Sequence, residues 1–173
     1  MSKPRLSPGV RVRKENGITF DCEWKAEFIT DQFLDNAGIY HERYHCEAHW
    51  GRLLRLGFNA AGVDCAGIRS VLDVGSGCGN TALVAARLMP GAHVIASDIS
   101  PNLLKILLDS ASAENLTNLS TWCFDLHKRF FEERSFDLVI GGSILHHMFD
   151  PVVALGNLSL SMRPGSPLLL YEP

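Results

Sequence analysis

Val71-Leu-Asp-Val-Gly-Ser-Gly-Cys-Gly79 sets a short apolar strand directly against a loop with glycine at every second position. The helix-forming run Asn80-Thr-Ala-Leu-Val-Ala-Ala-Arg-Leu-Met89 follows at once. Strand, glycine loop and helix in that order form the corner of an open α/β sheet that takes a nucleotide-type cofactor. Glycine permits positive φ and lets the backbone approach a ligand with no Cβ in between. Asp73, at the end of the strand, narrows the ligand. A carboxylate there gains nothing from a pyrophosphate but favours a group carrying an ammonium or sulfonium charge.

Outward from this stretch the chain alternates regularly. Strands are predicted over 92–98, 119–125, 136–141 and 167–171, with helices over 100–114 and 150–162. Ser100-Pro101 and Asp150-Pro151 supply an N-cap and an N1 proline for those two helices. Strands and helices at this spacing give right-handed βαβ units. The fold class is α/β, a doubly wound, mostly parallel, Rossmann-like sheet covered on both faces. Upstream, 10–13 and 18–21 alternate around Asn16-Gly17, the pattern of a small hairpin. Residues 30–58 read as helical with weak breaks at Gly38 and Gly51, and 59–68 as a connector. The division expected is a hairpin and helical lid over 1–58 and a cofactor-binding domain over 59–173.

The chain has 173 residues, 46% hydrophobic and 20% charged, with a net charge of −3, a composition suited to a soluble domain with a real core and without a basic nucleic-acid surface. No apolar run approaches the roughly 20 residues of a membrane span, and the first residues lack the apolar stretch of a secretion signal. The five cysteines are odd in number and lack CxxC spacing, which fits reduced thiols in a cytoplasmic protein.

From Val71 to Pro173 the sequence resembles class I S-adenosylmethionine-dependent methyltransferases of the broad small-molecule type that includes ubiquinone- and menaquinone-biosynthesis enzymes. Five ordered signals carry the resemblance. They are Asp73-x-Gly-x-Gly-x-Gly79, Asp98 closing the second strand, Asp125 closing the third, Phe136-Asp-Leu-Val-Ile with Leu145-His-His147, and Met162-Arg-Pro-Gly165. The resemblance implies S-adenosyl-L-methionine as cofactor and S-adenosyl-L-homocysteine as product. It implies Gly75, Ser76, Gly77 and Gly79 as the cofactor loop, and Asp73 as partner of the methionine ammonium. Asp98, with Ile99 beside it, would take the ribose hydroxyls, as the tip of a second strand commonly does. Asp125 and Leu126 would flank the adenine, Gly141 would lie under the methionyl chain, and Tyr44 would close from the lid.

Candidate chemistry sits at His146 and His147, after the fourth strand. Either ring is placed to act as general base for an O–H, acidic C–H or protonated amine acceptor, or to serve as a satisfied pocket wall. His41, His45 and His49 recur every four residues on one helix face. Ligands strung along one helix do not readily converge on an ion, so no metal is expected. The phrases that mark base, pyrimidine or arginine methylation are missing, which leaves a small-molecule acceptor. Two other readings stand beside this one. The first is a non-catalytic S-adenosylmethionine-binding or assembly domain. The second is an NAD(P)-dependent reductase, whose G-x-G-x-x-G fingerprint would need glycine where Asn80 stands. The final antiparallel β-hairpin of such folds does not follow the fifth strand. The apolar edge Leu168-Leu-Leu170 therefore points to a fragment of a longer protein, or to a homodimer paired through that edge.

Overall fold

The computed structural model describes residues 4–26 and 36–172, so the first part of the predicted lid helix, 30–35, lies outside the described residues. The strands are β1 (Val12–Glu15), β2 (Ile18–Asp21), β3 (Ser70–Val74), β4 (His93–Asp98), β5 (Leu119–Cys123), β6 (Leu138–Gly142) and β7 (Leu168–Tyr171). The helices are α1 (Ala37–Tyr44), α2 (Glu47–Ala60), α3 (Ala82–Leu88), α4 (Pro101–Ala113) and α5 (Pro151–Ser161), with a short 3-10 turn at Leu145–His147.

All seven strands join one sheet in the order β1-β2-β5-β4-β3-β6-β7. The expected strands account for the five parallel members from β5 to β7. The other two are the N-terminal hairpin, which is more than an appendage. Asn16 and Gly17 both have positive φ (49° and 84°), as a two-residue I′ turn requires. β2 then pairs in parallel with β5 through Thr19–Trp122 and Phe20–Cys123. Lys128 fixes this edge by donating to the buried Asp21 carboxylate at 3.0 Å and to Glu23 at 2.6 Å. β7 is hydrogen-bonded on one side only among the described residues, so the apolar edge read from Leu168–Leu170 is there.

Alternation along β3 divides the core. Val71 faces Leu54, Phe58, Ala85, Leu104 and Leu107, from α2, α3 and α4. Leu72 and Val74 face Leu158 of α5 and a cluster of phenylalanines. In that cluster Phe124 stacks on Phe130 at 4.1 Å, and Phe131 meets Phe136 edge-on at 4.9 Å. Both helix starts behave as predicted. The Ser100 side chain accepts from the N–H of Leu103, and Asp150 accepts from Val152 and Val153. The lid breaks elsewhere than expected. Gly38 and Gly51 lie inside helices and the chain turns at His45-Cys46. Gly51 is buried within α2, packed beside Val84.

Candidate functional site

The C-terminal tips of β3, β4, β5 and β6 meet at the glycine loop. Gly75 and Gly77 hold φ of +64° and +52°, conformations that cost an L residue about 1–2 kcal/mol. The Asp98 carboxylate fixes the loop by accepting from the N–H of Gly77 and of Ser100, each at 2.8 Å. Each oxygen keeps a lone pair for a further donor. Burial holds the Asp98 carboxyl above the usual carboxylate range, against the pull of those backbone N–H groups.

Asp73 is fully buried. Its Oδ2 accepts from the Thr81 hydroxyl at 2.7 Å, while Oδ1 is buried with no hydrogen-bond partner. Desolvation pushes its carboxyl up to about 7, although Thr81 and Ser76 oppose the shift. The folded protein therefore holds a proton here that the unfolded chain has released. The resulting stability is present below the unfolded value of 3.8 and is lost as pH rises through about 7. Asp73→Asn is expected to flatten the fall in unfolding free energy between these pH values by roughly 2–4 kcal/mol, measured by urea denaturation across that range. An unchanged slope would show that Asp73 is ionised throughout.

Two adjoining cavities open at this edge. The larger, about 470 Å³, lies between the glycine loop, the tip of β6 and the lid, and is bordered by Gly75, Ser76, Gly77, Tyr44, His146 and His147. The smaller, about 110 Å³, is bordered by Asp98, Ile99, Phe124, Asp125, Leu126 and His147. Gly75 and His147 belong to both. Ile144 packs on Gly75 between them, where a Cβ on Gly75 would stand 2.4 Å from the Ile144 Cδ1. Ser143, just before it, has φ +55°, a strained turn that aims Ile144 across the loop. A Cβ on Gly77, by contrast, would meet no atom within 4 Å and would enter open space.

The lid is tied down by two devices. Asn80, which stands where a dinucleotide loop has glycine, donates to the Tyr44 carbonyl at 3.3 Å and accepts from the Cys46 N–H at 3.0 Å. Trp50 of α2 packs against Gly142, where a Cβ would be 2.2 Å from its ring. Trp24 adds a strap by donating to the Ile99 carbonyl at 2.9 Å.

At the His-His corner the rings of His146 and His147 are 4.0 Å apart. The His146 Nδ1 is 2.8 Å from Glu172 Oε2, and Glu172 Oε1 accepts from the N–H groups of Ile144 and Leu145. Burial raises the Glu172 carboxyl, but the hydrogen bonds from His146, Leu145 and Ile144 outweigh it and the net shift is downward. The Glu172 carboxylate accepts a hydrogen bond from the Nδ1–H of His146 and leaves Nε2 as the acceptor nitrogen of that ring. Burial, then His146, lowers His147 from the ordinary histidine value. On the other wall His127 has a determined tautomer. Its Nε2 accepts from the Asp150 N–H at 3.1 Å, so Nδ1 carries the proton and donates to Asp125 at 2.7 Å.

The structure thus brings Gly75, Ser76, Gly77, Asp98, Ile99, Asp125, Leu126, Tyr44, His146 and His147 onto the two cavities. Asp73, Gly79 and Gly141 stand behind them. Gly79 gives close approach to Leu107 and Leu83, and Gly141 to Val74 and Leu170. Three functional neighbours were not predicted. Glu172 and His127 carry no local motif, and the amide of Asn80 was read only as a departure from the dinucleotide fingerprint.

Residues 71–165 match the family profile described as "Methyltransferase domain". Ubiquinone biosynthesis O-methyltransferase of Coxiella burnetii is 30% identical over 100 residues, 58% of this chain and 42% of that protein. The chain spans between 30% and 42% of the length of the first curated relatives it matches. Among solved structures, a protein of Methanococcus maripaludis provisionally assigned as an S-adenosyl-L-methionine-dependent methyltransferase superposes with a TM-score of 0.72. It is 19% identical, and the match covers 82% of this chain and 65% of that one. Phosphoethanolamine N-methyltransferase 2 of Haemonchus contortus, solved with phosphomonomethylethanolamine and S-adenosylhomocysteine, gives 0.62 at 27% identity over 70% of this chain and 28% of that one. No helix among the described residues is long and apolar enough to cross a membrane.

Proposed function

This chain belongs to the methyltransferase-domain family, and from that premise we propose that it transfers the methyl group of S-adenosylmethionine to a nucleophilic O, N or C atom of a small molecule. The observation that carries this reading is the pair of joined cavities, with Asp98 at one and the His146–Glu172 pair at the other. The smaller cavity takes the adenosine, with Asp98 on the ribose hydroxyls and Asp125 and Leu126 at the adenine. Gly75 and Gly77 would lie along the methionyl chain, and Asp73, behind the loop, would supply the carboxylate for its ammonium. When bound, the cofactor supplies an electrophilic methyl on a sulfonium. The protein's part is to align the acceptor and exclude water, while His146 Nε2 takes a proton from it. In this reading 1–58 includes the lid, and its described residues Tyr40, Tyr44 and Trp50 border the site that 59–173 builds. The absence of the base-, pyrimidine- and arginine-directed phrases supports a small metabolite as acceptor. Five unpaired cysteines fit a reducing, cytoplasmic setting.

Titration calorimetry with S-adenosylhomocysteine and with NADH tests the cofactor, and labelled methyl transfer into a metabolite extract tests the reaction. Binding of NADH alone would refute the proposal. Asp98→Ala is expected to weaken S-adenosylhomocysteine by about 1.5–3 kcal/mol, and unchanged affinity would remove Asp98 from the ribose. The open side of β7 supports pairing of two copies there, which sedimentation equilibrium would test against a monomer.

A further inference from the structure

His41 and His45 are one helical turn apart on the lid, His41 within α1 and His45 capping its end, with ring centroids 4.4 Å apart. The chain fold adds a donor from outside that helix. Cys78, in the glycine loop between Gly77 and Gly79, is buried beneath them. One ring nitrogen from each histidine and the Cys78 Sγ lie within 4.8 Å of one another, the one such trio found among the described residues. We infer that His41, His45 and Cys78 form a site for a borderline-soft divalent metal, zinc by its donor set, that fastens the lid to the glycine loop.

Four observations support the site. The Nδ1 atoms of both histidines are buried without a hydrogen-bond partner. Buried polar atoms normally have one, so these two lone pairs or protons are costly unless something takes them up. The His45 Nε2 faces Glu47 Oε1 at 3.3 Å, the outer carboxylate contact that orients a metal-bound imidazole and leaves Nδ1 for the ion. Glu47 is itself held by Arg87. Finally, Asn80 already joins the turn after α1 to the same loop, so the histidines and the thiol are held face to face without the ion.

Two imidazoles and a thiolate suit zinc, which takes nitrogen at about 2.0–2.1 Å and sulfur at about 2.3 Å with near-tetrahedral geometry. That places ligand atoms roughly 3.3–3.6 Å apart, a contraction within reach of small side-chain rotations. Zinc binding releases the Cys78 thiol proton to solvent as the Zn–S bond forms. His41 and His45 do not border the cofactor cavity, whereas Cys78 does. The ion would sit behind the loop rather than among the reacting atoms, leaving a fourth position for water.

Cobalt(II) titration of the full chain, cleared of metal with a chelator and kept reduced, tests the site by absorption. One equivalent is expected to give a thiolate-to-cobalt charge-transfer band in the near ultraviolet, with visible bands of four-coordinate intensity, and zinc should bleach both. Cys78→Ala should abolish the charge-transfer band, and the His41→Gln/His45→Gln double variant should lose tight binding. Glu47→Gln should weaken it about 10–100-fold. Zinc should raise the melting midpoint of the native chain but not that of the double variant, which keeps the test decisive if Cys78→Ala does not fold. No band in the native chain overturns the proposal, as does a band that survives Cys78→Ala. A band lost instead with Cys22→Ser, Cys46→Ser or Cys65→Ser does the same. These readouts are independent of cofactor binding and of methyl transfer.

Discussion

His146→Ala is expected to lower kcat for methyl transfer by about 10²–10⁴-fold, the usual contribution of a positioned general base. The expectation follows from the partner of its ring. Glu172 accepts two backbone N–H bonds and faces Nδ1, so only Nε2 is left to receive a proton. The adjacent His147 is lowered by burial and borders both cavities, so His147→Ala should act more on KM than on kcat. Glu172→Gln tests positioning without removing the base. It is expected to displace the acidic limb of the kcat profile, and Glu172→Asp to restore it in part. Steady-state kinetics across pH, with S-adenosylhomocysteine affinity measured in parallel, separates these effects. Turnover untouched in both His146→Ala and His147→Ala would end the general-base assignment.

The second large effect separates two glycines two residues apart. At Gly75 an alanine would place its Cβ 2.4 Å from Ile144 Cδ1 and 2.8 Å from Ile144 Cβ. The β carbon cannot swing aside, so the turn at Ser143 must move. Overpacking of about 1–3 kcal/mol adds to about 1–2 kcal/mol of left-handed strain. For a chain of this size the sum corresponds to a fall in Tm of roughly 4–20 °C. At Gly77 only the strain applies, because a Cβ meets nothing within 4 Å. Gly77→Ala should therefore stay folded and instead obstruct the cofactor. Thermal melts and calorimetry with S-adenosylhomocysteine on both variants give the contrast. Equal losses of stability would mean that Ile144 does not rest on the loop.

The alternating strands and helices from Val71 onward were legible because each is a local pattern: an apolar run, a cap, a turn. Asn16-Gly17 predicted its hairpin for the same reason. That β2 would lie beside β5 was not legible, since neither strand's sequence names its neighbour. At the site, Asp98 and Leu126 were expected from their places at strand tips, and both border the smaller cavity. The reading of Gly79 and Gly141 as cofactor contacts met a different geometry, because glycine serves close packing as readily as ligand approach, and Leu107 and Val74 take up that space. The break in the lid fell at His45-Cys46 rather than at a glycine because Asn80, 34 residues away from Cys46, holds the turn there.

The sequence by itself determined the α/β class, the glycine loop and the acidic strand tips. These depend on side-chain periodicity and on backbone conformations that only a few residue types permit. The tertiary structure alone decided which distant groups became partners. Glu172 reaches His146, His127 links Asp125 to Asp150, and Cys78 comes to rest beneath His41 and His45. Such pairs are made by the crossing of elements far apart in the chain. Each of these side chains taken alone is an ordinary polar residue, and its chemistry depends on the neighbour that the fold supplies.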